Sequence, residues 1–442
     1  MATSSSKIQT TTRAQVGGLR RVVASAAVGQ FVEWYDFVIY AYSAVVLAKL
    51  FFPSDDPVAG LLSAFAVYAV GFVMRPVGGI LFGHHGDKRG RRNVLSAVIL
   101  IMGLATVTIG LLPTYAAIGI AAPILLVVCR LVQGLSAGAE AMGSNALVAE
   151  HAPRERRGFF VGLSYTFANL PAIFAALLIL GLTNTMGMAA YGEWGWRVPF
   201  LIGGLISFFG LYIRRQVDES PEFQEIAVKD SIQSAPAVSV LKYHRKALLF
   251  TFVVAALAGL GFYTLTGYFV SYLTTSVKLS GNEALLSNSI ALLIAAVATP
   301  LAGAWSDRLG RNKVLIIGAV FSAVAAIPAY MLAGVGTLGG AVMGQSLLAL
   351  ALGIFFGPVG IAYLERFPAS VRFSGSALGY NLAYIVFGGT APLVATWLVA
   401  ATGNLLAPAI YTSSLAAVVA LTLVLLPRNA STLDTYTEAD TK

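Results

Sequence analysis

The chain has 442 residues, of which 57% are hydrophobic and only 11% charged, and its mean hydropathy is +0.78. A soluble domain carries about 25% charged residues, so most of this surface must face lipid. The net charge of +9 does not point to nucleic acid, because the bases cluster in short loops on alternate sides of apolar segments.

The N-terminal stretch is polar, with Ser4, Ser5, Ser6, Thr10, Thr11 and Thr12 and no apolar core. No cleaved signal peptide is expected there, and the first span is expected to serve as its own targeting signal. Twelve apolar runs follow, near 22–50, 59–83, 93–112, 117–141, 156–182, 196–214, 247–274, 285–306, 313–333, 338–364, 372–398 and 406–427. Each is long enough to cross a bilayer at ~20 residues. Inside lipid the backbone must satisfy its own hydrogen bonds, so each run predicts a helix. Several exceed the minimum, which predicts tilt or extension into the interface.

The stretch around 215–245 is the one sizeable polar interior segment, punctuated by Pro221 and Pro236. It divides the spans six and six. The expected organisation is a cytoplasmic tail over 1–21, a six-helix bundle over 22–214, a cytoplasmic linker over 215–246, a second bundle over 247–427 and a cytoplasmic tail over 428–442. Orientation follows from Lys and Arg. Lys88, Arg89, Arg91, Arg92, Arg154, Arg156, Arg157, Arg214, Arg215, Lys229, Lys242, Arg245, Lys246, Arg308, Arg311, Lys313, Arg366 and Arg372 share one side with Arg20 and Arg21. The other side carries Lys49, Lys278 and Arg197. Both termini are therefore expected in the cytoplasm.

The two halves repeat one another. Gly83-His84-His85-Gly86-Asp87-Lys88-Arg89-Gly90-Arg91-Arg92 returns as Gly303-Ala304-Trp305-Ser306-Asp307-Arg308-Leu309-Gly310-Arg311-Asn312, and the spacing of Glu150, Pro153 and Arg157 returns in Glu365, Pro368 and Arg372. Two matches in one order mean two copies of one membrane unit, a pattern that points to a transporter.

Five ionisable residues fall within the spans, all in the first half: Glu33, Asp36, Arg75, Arg130 and Glu140. An intramembrane charge costs roughly 2.5–3.5 kcal/mol on insertion scales, so it marks function by default. Glu33 and Asp36 are three apart and share a helix face. A carboxylate in low dielectric tends to hold its proton and a nearby guanidinium releases it, which makes a switch. An arginine also binds a substrate carboxylate through two parallel hydrogen bonds. Cys129 is the one cysteine, and the four histidines lack ligand-like spacing, so no disulfide, metal or cofactor is expected. No catalytic constellation argues for an enzyme, and no polar pore-lining stripe argues for a channel.

Three stretches resemble the major facilitator superfamily and, within it, the metabolite:proton symporters, relatives of the sugar porters. They are Gly29-x-x-x-Glu33-Trp34-Tyr35-Asp36-Phe37, Arg75-Pro76-x-Gly78-Gly79 running through Asp87 to Arg92, and Arg130-Leu131-x-Gln133-Gly134-x-Ser136-x-Gly138-x-Glu140 ending at Glu150-His151-Ala152-Pro153. Gly195-Trp196-Arg197-Val198-Pro199-Phe200 and Glu219-Ser220-Pro221-Glu222-Phe223 fit as well.

The resemblance implies an all-α membrane protein of twelve helices in two pseudo-symmetric six-helix bundles, working by alternating access. By resemblance Asp36 and Arg130 form a protonation switch, with Glu33 and Glu140 as further proton-coupling candidates. Asp87, Arg91, Glu150 and Arg157 match a cytoplasmic gate, and Asp307, Arg311, Glu365 and Arg372 match its second copy. His84 and His85 read as solvated loop residues. The implied setting is a bacterial inner membrane, with a small-molecule substrate, protons and lipid as partners and a functional monomer.

For substrate, the resemblance offers dicarboxylates, aromatic or shikimate-like acids, and zwitterionic osmolytes. Arg75 and Arg130 favour an organic acid anion imported with protons. The alternative is a zwitterionic osmolyte of the proline or betaine kind; a cationic osmolyte would want an aromatic cage and a free carboxylate instead. A drug/proton antiporter is a further alternative. Besides the two arginines, the candidates for substrate contact are Gln133, Tyr40, Tyr165, Asn169, Tyr263, Tyr268, Tyr380, Asn381 and Tyr384.

Overall fold

A computed structural model describes residues 27–79, 81–82, 91–138, 145, 148–149, 152–215, 236–367 and 372–425, with the side chains of 91–93, 95, 213–214, 236–239 and 372–374 excepted. Among these residues all regular structure is helical. Eight helices are long and apolar enough to span a bilayer: α2 (Pro57–Gly79), α5 (Arg154–Gly195), α7 (Arg245–Thr275), α8 (Gly281–Leu309), α9 (Arg311–Ala333), α10 (Leu338–Leu364), α11 (Gly375–Thr402) and α12 (Ala407–Leu425). A bent pair, Ala27–Tyr42 with Ala44–Phe51, makes α1, and three shorter apolar helices complete the set: α3 (Ser96–Leu111), α4 (Ala121–Ala137) and α6 (Arg197–Tyr212). Each lies over one of the apolar runs.

Local sequence sets several starts. Pro57 opens α2 behind Asp56, whose carboxylate accepts from the Val58 amide at 2.9 Å. Ser280 and Glu283 make a reciprocal capping box at the start of α8, and Thr337 caps α10 through the Gly340 amide at 3.1 Å. Each satisfies amide donors that a helix leaves open in its first turn.

The structure departs from the expected spans at four places. α1 bends by 62° at Ser43, although the amides of Ser43 and Leu47 keep their bonds to Ile39 and Ser43 carbonyls. α5 continues well past 182, because a helix need not end where the bilayer does; its continuation breaks at Gly187, whose φ of 81° only glycine adopts readily. π-helical turns interrupt α7 at Thr264–Tyr268 and α11 at Tyr384–Gly388. The segment expected as linker holds a short helix, Pro236–Tyr243, and α7 already starts at Arg245.

The chain is turned inside out relative to a soluble protein. Leu205, Phe208, Phe209, Val324 and Leu425 point outward at 61–73% exposure, as lipid-facing residues do, while Glu33, Asp36, Arg75 and Arg130 are buried. Within the first bundle α2 and α4 cross at backbone contact. A Cβ on Gly134 would stand 1.8 Å from the Gly71 carbonyl oxygen, and one on Gly138 would stand 1.8 Å from that of Arg75. Small residues at such crossings are how membrane helices approach closely. Contacts between the halves include α5 on α8, where Thr166 donates to the Ala296 carbonyl at 2.8 Å, and α2 on α11, where Phe72 packs on Gly389.

Candidate functional site

The two buried arginines stand in separate settings that share one wall. Arg75, on α2, donates from Nη2 to Glu33 Oε1 on α1 at 2.6 Å, and both residues are at most 2% exposed. Its guanidinium carbon lies 4.7 Å from the ring centre of Phe37, 5.0 Å from that of Phe72 and 5.8 Å from that of Trp34. Tyr263, Tyr380 and Tyr384 lie within its electrostatic reach. Its Nε and Nη1 have no hydrogen-bond partner among the described residues.

Arg130, on α4, donates to Gln133 Oε1 at 2.8 Å and to the Tyr68 carbonyl at 3.4 Å. The rings of Tyr40, Phe37 and Tyr68 surround it at 4.6, 4.7 and 5.1 Å. A Cβ on Gly71 would stand 3.3 Å from its Nη2, so the glycine makes the room that the guanidinium occupies. Gln133 turns its amide to Thr106 Oγ1 on α3 at 2.8 Å, and Thr106 donates to the Met102 carbonyl at 2.9 Å.

Asp36 lies beside this chain, with Thr106 and Arg130 as polar neighbours. Neither carboxylate oxygen has a hydrogen-bond partner among the described residues. Gly203 of α6 approaches it, and a Cβ there would stand 3.3 Å from Asp36 Oδ1. Glu33 and Asp36 thus leave one helix for two partners: the first is ion-paired to Arg75, and the second sits beside an arginine that Gln133 holds.

Aromatic rings join the halves beside these charges. Tyr263 of α7 meets Phe72 at 5.0 Å, Trp34 and Tyr384 at 5.9 Å and Tyr68 at 6.0 Å between ring centres. Tyr380 and Tyr384, four apart on α11, pack at 4.0 Å. Tyr40 stacks on Tyr68 and donates to the Ala64 carbonyl at 3.0 Å.

Tyr268 belongs to a second cluster with Tyr272, Phe269 and Tyr330, so the structure does not bring it to the arginines. Tyr165 packs on Phe356 of α10 across the seam between the halves and lies within electrostatic reach of Tyr380 and Tyr384, and Asn169 donates to its carbonyl at 3.2 Å. Asn381 is buried on α11.

At the end of the molecule bearing the second loop motif, Asp307 accepts from the amides of Gly158 and Phe159 at 2.8 and 3.0 Å. These are the first turns of α5, immediately after Arg157, so a carboxylate of one half caps a helix of the other. Arg311 holds Asp307 at 2.5 Å and Ser306 Oγ at 2.9 Å, and its Nε lies 3.4 Å from Glu365. Asp87, Glu140 and Glu150 lie outside the described residues, as do the side chains of Arg91 and Arg372.

At the opposite end, a knot of uncharged polar side chains ties four helices. Tyr42 of α1 donates to Asn288 Oδ1 of α8 at 2.5 Å. Asn288 donates to the Leu265 carbonyl of α7 at 2.7 Å and to Gln345 of α10 at 2.8 Å, and Gln345 donates to Ser287 at 2.6 Å. Its signal was present: two amides in mid-span, costly unless bonded. Trp34, Phe37, Tyr68, Phe72 and Thr106 also belong to the centre, though nothing in their own spacing marks them in the sequence; three of them sit within four positions of Glu33, Asp36 or Arg75.

A family model described as "Major Facilitator Superfamily" matches residues 26–389 and 251–441. The chain is 36% identical over 427 residues to a proline/betaine transporter of Escherichia coli K12, covering 94% of this chain and 85% of that one. It is 35% identical over 426 residues to the glycine betaine/proline/ectoine/pipecolic acid transporter OusA of Dickeya dadantii, with 94% and 84% covered. Among solved structures it resembles a D-xylose-proton symporter at 20% identity and a TM-score of 0.73, covering 92% of this chain and 98% of that one. It also resembles the partially occluded inward-open xylose transporter XylE of E. coli at 18% identity and a TM-score of 0.75, with 93% and 98% covered.

Proposed function

The chain belongs to the major facilitator superfamily and is a membrane-spanning transporter rather than an enzyme; from that premise we propose that it imports a zwitterionic osmolyte of the proline or betaine kind together with protons. The observation that supports this substrate most is the likeness, at 34–36% identity over nine-tenths of the chain, to carriers named for proline and betaine. The geometry supports it too. The preference for an organic acid rested on two arginines awaiting an anion, but Arg75 is already neutralised by Glu33 at 2.6 Å, and Arg130 is held by Gln133 and three rings. What the buried centre offers in surplus is aromatic surface and a carboxylate, which suits an onium group.

Asp36 is the proposed proton carrier. It faces Arg130 without pairing to it, so a small movement of the guanidinium changes the cost of ionising it. The carrier sits in a bacterial inner membrane as a functional monomer with both termini cytoplasmic, and the Asp307 cap closes the cytoplasmic side. The two bundles rock about the buried centre.

Electrogenicity separates the readings. A zwitterion entering with one proton carries a net positive charge, so a membrane potential contributes ~2.3 kcal/mol per 100 mV. A monoanion entering with one proton is electroneutral. In proteoliposomes, labelled glycine betaine or proline should accumulate when an inside-negative potential is imposed at equal pH, and further when the outside is acidified. Accumulation of organic acids but not of betaine or proline would overturn the substrate; betaine uptake that only equilibrates under both gradients would overturn the coupling.

A further inference from the structure

The Glu33–Arg75 pair is a poor device for stability. Burying two charges costs both their hydration shells, and well-packed apolar residues would hold α1 to α2 as firmly. Its surroundings point to another use. The guanidinium is ringed by the faces of Phe37, Phe72 and Trp34, which attract cations. Tyr263 closes the same aromatic wall from the other half. Two donors of Arg75, Nε and Nη1, are buried without a well-formed hydrogen bond among the described residues, with the Tyr380 hydroxyl as their neighbour, where buried donors are nearly always filled.

Resting on the zwitterion reading above, we propose that Glu33 and Arg75 are the two poles of the substrate seat, each standing in the apo protein for the charge that the cargo brings to the other. The cargo carboxylate takes the open donors of Arg75. Its onium group takes the place of the guanidinium, between Glu33 and the rings of Trp34, Phe37 and Phe72. The exchange conserves charge: a neutral pair opens, a neutral zwitterion enters, and no buried charge loses its partner. A monoanion would take Arg75 from Glu33 and bring nothing in exchange, and a plain cation would do the converse. Selection for zwitterions then follows from the pair itself. Glu33 therefore serves the substrate rather than the proton, and the proton centre at Asp36 stays separate, on the Thr106, Gln133 and Arg130 side.

Glycine betaine and 3,3-dimethylbutyrate have nearly the same shape, with a quaternary carbon replacing the quaternary nitrogen. Displacement of labelled betaine from the purified wild-type protein should favour betaine over the isostere by on the order of 100-fold, the cost of stranding a buried charge. In Glu33→Gln that preference should collapse to within a few-fold, with the isostere gaining. Arg75→Gln should lose both ligands. The double variant Glu33→Gln/Arg75→Gln strands no charge, so it keeps the test available if either single variant fails to fold, and it should lose both ligands as Arg75→Gln does. Retention of the full betaine preference in folded Glu33→Gln, or in the double variant, overturns the assignment while leaving the substrate intact. Equal binding of both ligands by the wild type overturns it as well. A wild type that binds no zwitterion sinks the substrate reading and this assignment together.

Discussion

In the proposed scheme coupling turns on Asp36, because it is the buried carboxylate with an arginine nearby and no bond to it. Asp36→Asn cannot cycle a proton, so uphill uptake in proteoliposomes should vanish while counterflow exchange of labelled for unlabelled substrate persists. Unimpaired concentrative uptake in this variant would remove Asp36 from its role. Gln133 supports the partner, holding Arg130 on one side and Thr106 on the other. Gln133→Leu strands a buried charged donor, which costs about 1–3 kcal/mol; the expected readout is a lower melting temperature in detergent, with the loss absent in Gln133→Glu. All four buried ionisable residues described here were visible in the sequence as charges in apolar runs. Their pairing was not. Spacing put Glu33 and Asp36 on one face, but a rise of three residues is enough for one to reach α2 and the other α3 and α4, and only packing decides which.

The bend in α1 and the π turn in α7 are tied by one side chain. Asn288 accepts from Tyr42, next to the bend, and donates to the Leu265 carbonyl within the π turn. π turns are often found at functional sites, and here the turn frees a carbonyl for a neighbouring helix. Asn288→Leu removes the tie across α1, α7 and α8. Cysteines placed near Tyr42 should then label faster with a membrane-impermeant reagent than in the parent, and labelling unchanged or slower would show that the knot is only packing. The α2–α4 crossing predicts a different outcome. Gly138→Val drives a side chain into the Arg75 carbonyl, so it should lower the melting temperature and displace Arg75 enough to cut substrate binding. Span positions were readable because lipid demands long apolar helices. The bend, the π turns and the length of α5 past Leu182 were not, since hydropathy reports where lipid is and says nothing of how a helix bends or where it stops beyond it.

For the whole molecule, the duplicated loop motif announced two halves, and the described copy joins them. Asp307 caps α5 across the interface, and charge at a helix N-terminus contributes about 0.3–1 kcal/mol, more when partly buried. Asp307→Ala should loosen that end. A spin-label pair across α5 and α8 there should report a larger share of open conformers, and Asp307→Asn, which keeps an acceptor without the charge, should fall between. A distance distribution identical to the parent would leave the cap without a gating role. The lateral order of the twelve helices was legible only through the family resemblance, because nothing in a run of apolar residues names its neighbour.

One ring belongs to both centres. Phe37 lies 4.7 Å from the guanidinium carbon of Arg75 and 4.7 Å from that of Arg130, so under the proposed roles it is a party wall between the cargo's room and the proton's. Whatever shifts one tenant presses on the other through a rigid plane that cannot bend to absorb the push. Trading the plane for a pliable aliphatic chain, as in Phe37→Leu, should leave each room habitable but let them fall out of step: solute would slip through without its proton, and protons would leak through an empty carrier.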